Sequence, residues 1–180
     1  MKQVEMMTPE QALVLRDFLL PAIEGEYTAT RRVLAAVPDD RDGYRPDPKS
    51  RTARELAWHI VWTEVKFFED IARHSFGGPE PEPVDPTRGT AGLLAYYDEH
   101  FRRALELVKG MSAEELAAPI DFLGIANLPA VSYLLWLNNH SVHHRGQLSS
   151  YLRAAGSRVP AIYGPSADEP WSAAEASAGA

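Results

Sequence analysis

Three histidine side chains are the residues of this chain best suited to do chemistry. His140 and His144 stand four residues apart, and His59 lies far upstream. A spacing of four on a helix places two side chains on one face, one turn apart. Imidazole is a common ligand for zinc, iron and nickel. A third imidazole from another helix would complete a three-histidine site with a position left for water or substrate, as in catalytic metal sites.

The alternative to a metal site is a set of core histidines that are hydrogen-bonded to side chains or carbonyls. His140 and His144 continue an apolar helical stripe, so burying them without partners would be costly. For an isolated pair, the two interpretations are about equally good. His59 also lies on an apolar stripe, beside Leu56 and Ile60. Three inward histidines on two helices are hard to explain as packing, and we therefore favour a metal site.

The other three histidines fit this site less well. His143 is three residues after His140, so these two could also form a pair, but it lies about 100° around the helix from His144 and is interpreted as a flanking residue. His74 lies on the order of 22 Å along the helix from His59, and we expect it to offset the negative end of the helix dipole. His100 is expected at the edge of a stripe, bonded to solvent.

Four long helical patterns must position these residues, and strand alternation is nowhere sustained. The patterns cover about residues 9–37, 52–74, 90–109 and 129–155. Thr8 with Gln11, and Thr52 with Glu55, form capping boxes. Pro21 predicts that the first helix is kinked or divided into two pieces. The sequence therefore predicts an all-α protein, an antiparallel four-helix bundle.

The remaining segments are shorter. Ser112 and Glu115 predict one helical turn, and residues 121–129 are expected to be irregular. Two glycines and four prolines predict an exposed loop over residues 77–86. We expect one domain over residues 1–171 and a tail without fixed structure over residues 172–180.

The second helix carries a further apolar stripe opposite the one that holds His59. It contains Trp58, Val61, Trp62, Val65, Phe68 and Ala72. A helix that is apolar on two sides is buried on two sides. The stripe predicts a homodimer, although loops or the residues near Tyr163 and Trp171 could cover it instead.

The composition argues against several classes of function. The net charge of -7 argues against nucleic-acid binding, which needs a basic surface. The absence of cysteine excludes disulfides and a cysteine nucleophile. No apolar stretch approaches the roughly 20 residues that span a bilayer. The first residues do not resemble a signal peptide, so a cytoplasmic protein without membrane partners is expected.

Three segments of the chain form a pattern found in a known family: residues 55–60 with His59, His-Ser-Val-His-His-Arg-Gly-Gln-Leu at residues 140–148, and Tyr-Leu-Arg-Ala-Ala-Gly at residues 151–156. In these segments the chain resembles the DinB/YfiT-like family, whose members include thiol S-transferases. The segments at residues 44–46, 160–165 and 168–171 are also similar to that family. The likeness covers roughly residues 9–171.

The resemblance implies a four-helix bundle with an up-down-down-up course and a divalent metal on His59, His140 and His144. It also implies a homodimer. Members with an assigned reaction include transferases that use bacillithiol or mycothiol, and a thiol-dependent maleylpyruvate isomerase. The family resemblance does not choose between zinc, nickel and iron, and it does not choose a substrate.

Two functions from different classes follow. The first is an enzyme whose metal activates a water or a low-molecular-weight thiol toward a small-molecule substrate. The second is a noncatalytic dimer that binds a metal or a small stress-related molecule. Glu55, Gln147, Tyr27 and Arg145 are weak candidates for assisting groups, each with a structural role favoured; for Arg145 that role is an exposed surface ion pair. Gly146 is expected to allow close helix packing.

Overall fold

The computed structural model describes residues 7–78 and 88–171. Their secondary structure consists of helices and one short hairpin. The helices are α1 (Pro9–Ala35), α2 (Ala53–Ala72), α3 (Gly89–Lys109), α4 (Ala113–Ala117) and α5 (Ser132–Ala154). The strands are β1 (Pro119–Phe122) and β2 (Ala126–Pro129). The predicted all-α bundle is confirmed.

Side-chain caps fix where three of the helices begin. The first N–H groups of a helix have no partner inside it, so a hydroxyl and a Gln or Glu three residues later can satisfy two of these donors. Thr8 with Gln11 caps α1, Thr52 with Glu55 caps α2, and Ser112 with Glu115 caps α4. These short-range signals were predicted correctly.

Helix α1 runs without interruption through Pro21. Of the two alternatives that Pro21 predicted, the division into two pieces is therefore wrong. Residues on both sides of the proline bury apolar side chains, among them Leu19, Leu20 and Ile23. Pro21 itself is exposed. Burial of this stripe holds the helix together although one backbone hydrogen bond is missing.

A β-hairpin occupies the segment that was expected to be irregular, which is a correction. Strands β1 and β2 pair antiparallel, with Ile120 opposite Leu128. The turn uses left-handed backbone at Leu123 (φ 53) and Gly124 (φ 73). The Tyr133 hydroxyl donates to the carbonyl of Ile120 at 2.8 Å and ties the hairpin to α5. Strands of four residues are too short for their alternation to stand out in the sequence.

Contacts between helix ends give the direction of each helix. Arg16, near the start of α1, donates to the carbonyl of Lys109 at the end of α3. Thr90, at the start of α3, donates to the carbonyl of Val37 just after α1. Helices α1 and α3 are therefore antiparallel.

Helices α2 and α3 run in the same direction. Trp58 packs on Tyr96 near the two starts, and Glu69 pairs with Arg103 nearer the two ends. Phe76, which follows α2, packs on Tyr133 at the start of α5, so α5 is antiparallel to α2. The bundle therefore has the up-down-down-up course that the family resemblance implies.

The second apolar stripe of α2 is covered inside the same chain. Val61, Val65 and Phe68 are buried. Phe68 packs edge-on against Phe101 of α3, and Trp58 packs in the same way against Tyr96. The stripe therefore does not require a second subunit. The homodimer stays a prediction that the family resemblance implies, but this stripe no longer supports it.

Two further predictions concern segments at the edges of the described structure. Most of the expected loop over residues 77–86, and the expected tail over residues 172–180, lie outside the described residues. Within residues 7–78 and 88–171, none of the helices combines the length and the apolar composition needed to cross a bilayer.

Candidate metal centre

The three histidines singled out by their spacing come together in the bundle. His59 lies on α2, and His140 and His144 lie one turn apart on α5. One ring nitrogen from each residue lies within 4.8 Å of the other two. The closest pair is Nε2 of His59 and Nε2 of His140, 3.1 Å apart. The ring of His144 is centred 4.8 Å from that of His59 and 4.4 Å from that of His140.

Packing between α2 and α5 brings the rings to this position. Leu56 and Ile60, on either side of His59, are fully buried in the core. Leu137 and Leu148 bury the same face of α5 around His140 and His144. The rings themselves are half-buried. They lie at the edge of the core, where solvent can reach them, and this suits a site that exchanges small molecules.

The remaining described histidines are outside the cluster. His143 is exposed, and its ring contacts only the outer side of the cluster through His144, at 4.8 Å between centroids. His74 follows the end of α2 in a left-handed conformation (φ 54). His100 donates from Nδ1 to the carbonyl of Tyr96 at 2.9 Å and stacks on that ring. The Nδ1 of His100 therefore bonds the backbone of its own helix rather than the solvent that was expected.

Neighbouring side chains orient two of the rings. The Nδ1 of His144 donates to Oε1 of Gln147 at 3.0 Å, which leaves Nε2 as the free acceptor. The amide nitrogen of Gln147 in turn donates to the Tyr151 hydroxyl at 3.1 Å. The Nδ1 of His59 lies 3.5 Å from Oγ1 of Thr63. Contacts of this kind fix the tautomer and orientation of metal-binding histidines in proteins.

The spacing of the nitrogens suits a transition-metal ion. Two nitrogens that each lie about 2.1 Å from one ion, at angles between 90° and tetrahedral, are roughly 3.0–3.4 Å apart. The 3.1 Å between the Nε2 atoms of His59 and His140 falls in this interval. The group contains no carboxylate. A set of three imidazoles favours zinc, nickel or iron over magnesium or calcium, which prefer oxygen.

Burial keeps the rings in the form that can bind a metal. It lowers the pKa of His59 to about 4 and that of His140 to about 3, and the positive charges of other histidines and of Arg51 add to the effect. The pKa of His144 is also lowered, mainly by burial. All three rings are therefore neutral at pH 7, with a nitrogen lone pair available to a cation.

Two of the weaker candidates from the sequence have other roles, and the prediction for Gly146 fails. The Glu55 carboxylate accepts from the backbone of Thr52 at 2.7 Å as part of the helix cap. The Tyr27 hydroxyl donates to Asp98 of α3 at 2.5 Å. Gly146 is exposed, and a Cβ there would meet nothing within 4 Å, so the prediction that it allows close packing is wrong. Only Gln147 among the candidates touches the cluster.

Arg145 is not the exposed side chain that was expected. It is 1 % exposed. Its guanidinium pairs with the Glu26 carboxylate at 2.5 Å and donates to the carbonyl of Glu26 and to the hydroxyls of Thr30 and Tyr163. A buried cation must be paired in this way. Arg145 therefore fastens α5 to α1 and to the segment that follows α5.

A buried carboxyl that the sequence reading missed lies beside this network. Glu64 of α2 is 4 % exposed and accepts a hydrogen bond from the Tyr97 hydroxyl. Burial raises its pKa to about 7, and the nearby Ser141 hydroxyl and the hydrogen bond from Tyr97 offset only part of that effect. Its position was readable: Glu64 stands four residues after Ile60 and four before Phe68, on an inward stripe.

Comparison with known proteins identifies relatives of the whole bundle. A sequence model of the DinB family matches residues 11–175. The uncharacterized protein YrdA of Bacillus subtilis is 28% identical over 153 residues, which cover 85% of this chain and 90% of that protein. A crystal structure of a DinB-like protein from Bacillus cereus superposes with a TM-score of 0.68 at 26% identity, covering 81% of this chain and 95% of the other.

A second solved relative shows the same fold. The DinB-like protein YjoA of Bacillus subtilis has a TM-score of 0.64 at 19% identity, over 80% of this chain and 96% of that one. In sequence, YjoA is 22% identical over 129 residues, which are 71% of this chain and 82% of YjoA.

Proposed function

This chain belongs to the DinB family, and we propose that His59, His140 and His144 hold one divalent metal ion in an enzyme that activates a water or a low-molecular-weight thiol. The observation that supports this most is the convergence of three neutral imidazole nitrogens within 4.8 Å of one another. Three ligands leave room for a small molecule at the ion.

A zinc, nickel or iron ion bound there would supply positive charge that lowers the pKa of a water or thiol toward neutrality. The chain's own residues would position it: α2 presents His59, α5 presents His140 and His144, and Gln147 orients the ring of His144. Because the chain contains no cysteine, a thiol would have to arrive as a co-substrate. Proposed products are a thioether or a hydrolysed small electrophile.

The second candidate is a noncatalytic protein that binds a metal or a small molecule. One observation favours it: Glu55 and Tyr27, which could have served as acid or base, are engaged in a helix cap and in a contact with Asp98. The two candidates share the metal site and differ in whether turnover occurs.

Replacing His144 by Ala tests the metal site. Two remaining ligands hold an ion poorly, so we expect metal content, measured by mass spectrometry, to fall at least tenfold from one ion per chain. His143→Ala is the matched control, because His143 is the exposed neighbour and should keep the metal. Equal metal content in the two variants would contradict the site. Helix content by circular dichroism should be unchanged in both.

A thiol panel and a chelator then separate the two functions. We expect the metal-loaded protein to conjugate a small electrophile with one of the thiols, and His144→Ala to lose this activity together with the metal. Full activity in the metal-free variant would exclude the proposed mechanism. If a chelator alone unfolds the protein, the metal is structural and the noncatalytic function takes its place.

A further inference from the structure

A cavity of about 330 Å³ lies along α2 and begins about one helical turn beyond His59. Thr63 lines the cavity, and its hydroxyl lies 3.5 Å from Nδ1 of His59. Trp62 also lines it, and the Trp62 ring is centred 6.0 Å from that of His59. The volume lies in the range of pockets that take small ligands, roughly 300–1,000 Å³. We call it the aromatic cavity.

Aromatic rings from three segments line the cavity. Phe67 comes from α2, Phe76 from the residues after α2, and Phe122 from the end of β1. The centroids of Phe76 and Phe122 are 4.8 Å apart, and that of Phe67 is 5.3 Å from Phe76. Rings in such a cluster offer both faces and edges, which are the surfaces that a flat aromatic group packs against.

The polar groups of the cavity are already neutralised. Lys66 donates to the carboxylate of Asp70 at 2.9 Å and to the carbonyl of Gly78 at 3.1 Å. Asp70 is 1% exposed and also pairs with Arg73. A ligand that carries a full charge would therefore find no free counter-ion among these groups. Lys66 has three N–H donors, so one remains for an acceptor atom of an uncharged ligand.

We propose that the aromatic cavity binds an uncharged aromatic group of the small-molecule substrate that reacts at the three histidines. This assignment rests on the proposed function for its role in a reaction, whereas binding in the cavity can be measured independently. Trp62 and Thr63 lie within about one helical turn of His59, and Phe67 lies about two turns from it. The reactive carbon would therefore be at the end of the substrate nearest Trp62 and Thr63.

The test uses N-phenyl-1-naphthylamine, an uncharged aromatic dye that fluoresces in apolar surroundings. Leu123 lines the cavity, is 61% exposed and has φ 53, a conformation that Asn tolerates. We expect Leu123→Asn to fold normally and to weaken dye binding at least threefold. Ile125→Asn is the matched control, because Ile125 lies in the same turn, is 73% exposed and does not line the cavity. Its dye affinity should equal that of the original chain.

A second variant and a metal measurement complete the test. Phe122→Ala should weaken dye binding at least tenfold, with folding checked by circular dichroism. Absence of dye binding, or equal affinity in Leu123→Asn and Ile125→Asn, would overturn the proposal. Uptake of zinc, nickel or iron is measured on the same protein. Dye bound by a chain that takes up none of these metals would support the cavity and contradict the proposed function, whereas metal uptake without dye binding would do the reverse.

Discussion

At the scale of single residues, the cluster depends on groups that do not belong to it. Gln147 accepts from His144, and its own amide is held by Tyr151. The chain Tyr151–Gln147–His144 fixes which nitrogen of the ring is free. Residues that orient a metal ligand without binding the metal are missed when a site is described only by its ligands.

Gln147→Ala should lower metal affinity on the order of tenfold, because the ring of His144 loses the acceptor that fixes its tautomer. Gln147→Glu keeps an acceptor oxygen at the same place, so its affinity should stay within about threefold of the original. Competition with a chromophoric chelator measures both. An equal loss in the two variants would show that Gln147 acts through packing rather than through its acceptor.

Glu64 gives a pH-dependent prediction. Its pKa rises from 4.5 to about 7 on folding because the carboxyl is buried. Below pH 4.5 the carboxyl is protonated in both the folded and the unfolded chain, so it does not make the unfolding free energy depend on pH. Between pH 4.5 and pH 7 the carboxyl ionises in the unfolded chain but stays protonated in the folded one, so the unfolding free energy falls as pH rises. Glu64→Gln removes this loss. Relative to the original chain, the variant should gain about 3 kcal/mol in unfolding free energy between pH 4 and pH 8.

Urea denaturation at the two pH values measures that gain. The control is Glu106→Gln, since Glu106 is 68% exposed on α3. Its unfolding free energy relative to the original chain should change by less than about 0.5 kcal/mol between the two pH values. If the difference in unfolding free energy between Glu64→Gln and the original chain were the same at both pH values, this carboxyl would ionise in the folded protein as it does in water.

At the scale of the elements, α1 combines a favourable and an unfavourable proline. Pro9 stands at the first position of the helix, where its missing N–H would be unpaired in any case. Pro21 stands inside the helix, where the missing N–H removes a backbone hydrogen bond. The helix is nevertheless continuous, because its buried face spans the proline.

Pro21→Ala should therefore stabilise the protein, by roughly 1–3 kcal/mol, since a helix-interior proline costs about 3 kcal/mol relative to alanine. Pro9→Ala is the matched control and should change the unfolding free energy by less than about 0.5 kcal/mol. Urea denaturation compares the two. A loss of stability in Pro21→Ala would mean that α1 must bend at this point to pack on its neighbours.

At the scale of the whole molecule, one apolar face of α1 is exposed on the surface of the single chain. Val14 is 71% exposed and Phe18 is 74% exposed, one turn apart. Most of the second stripe of α2 is buried, with Trp58 and Phe68 packed on α3, and its Trp62 lines the aromatic cavity, so α1 offers the better surface for a second copy. We therefore keep the homodimer as a prediction and move its interface to α1.

Light scattering should give twice the mass of one chain at micromolar concentration. Phe18→Glu should shift the mass toward that of the monomer, because it buries a charge at an apolar contact. Ile125→Glu, at the tip of the hairpin, should leave the mass unchanged. A monomeric original chain at that concentration would contradict the prediction of a dimer, and a dimeric Phe18→Glu would exclude this face.

The sequence by itself determined the features that depend on local chemistry and helical period. The capping boxes at Thr8 and Thr52 marked where two helices begin, and a spacing of four placed His140 and His144 on one face. The stripe around His59 indicated that it faces the same core. These predictions succeed because caps and periodicity involve residues within one or two turns of each other.

Only the tertiary structure decided which charges are buried and which apolar faces are covered. Arg145 looks like an ordinary surface charge until α1 supplies Glu26 as its partner. Glu64 stands on an apolar stripe, but only α3 supplies the Tyr97 hydroxyl that its carboxyl accepts from. The second stripe of α2 looked unpartnered until α3 was seen to lie along it. The burial of each of these charges and stripes depends on contacts between segments that are far apart in the chain. A local sequence pattern does not contain the residues that make those contacts.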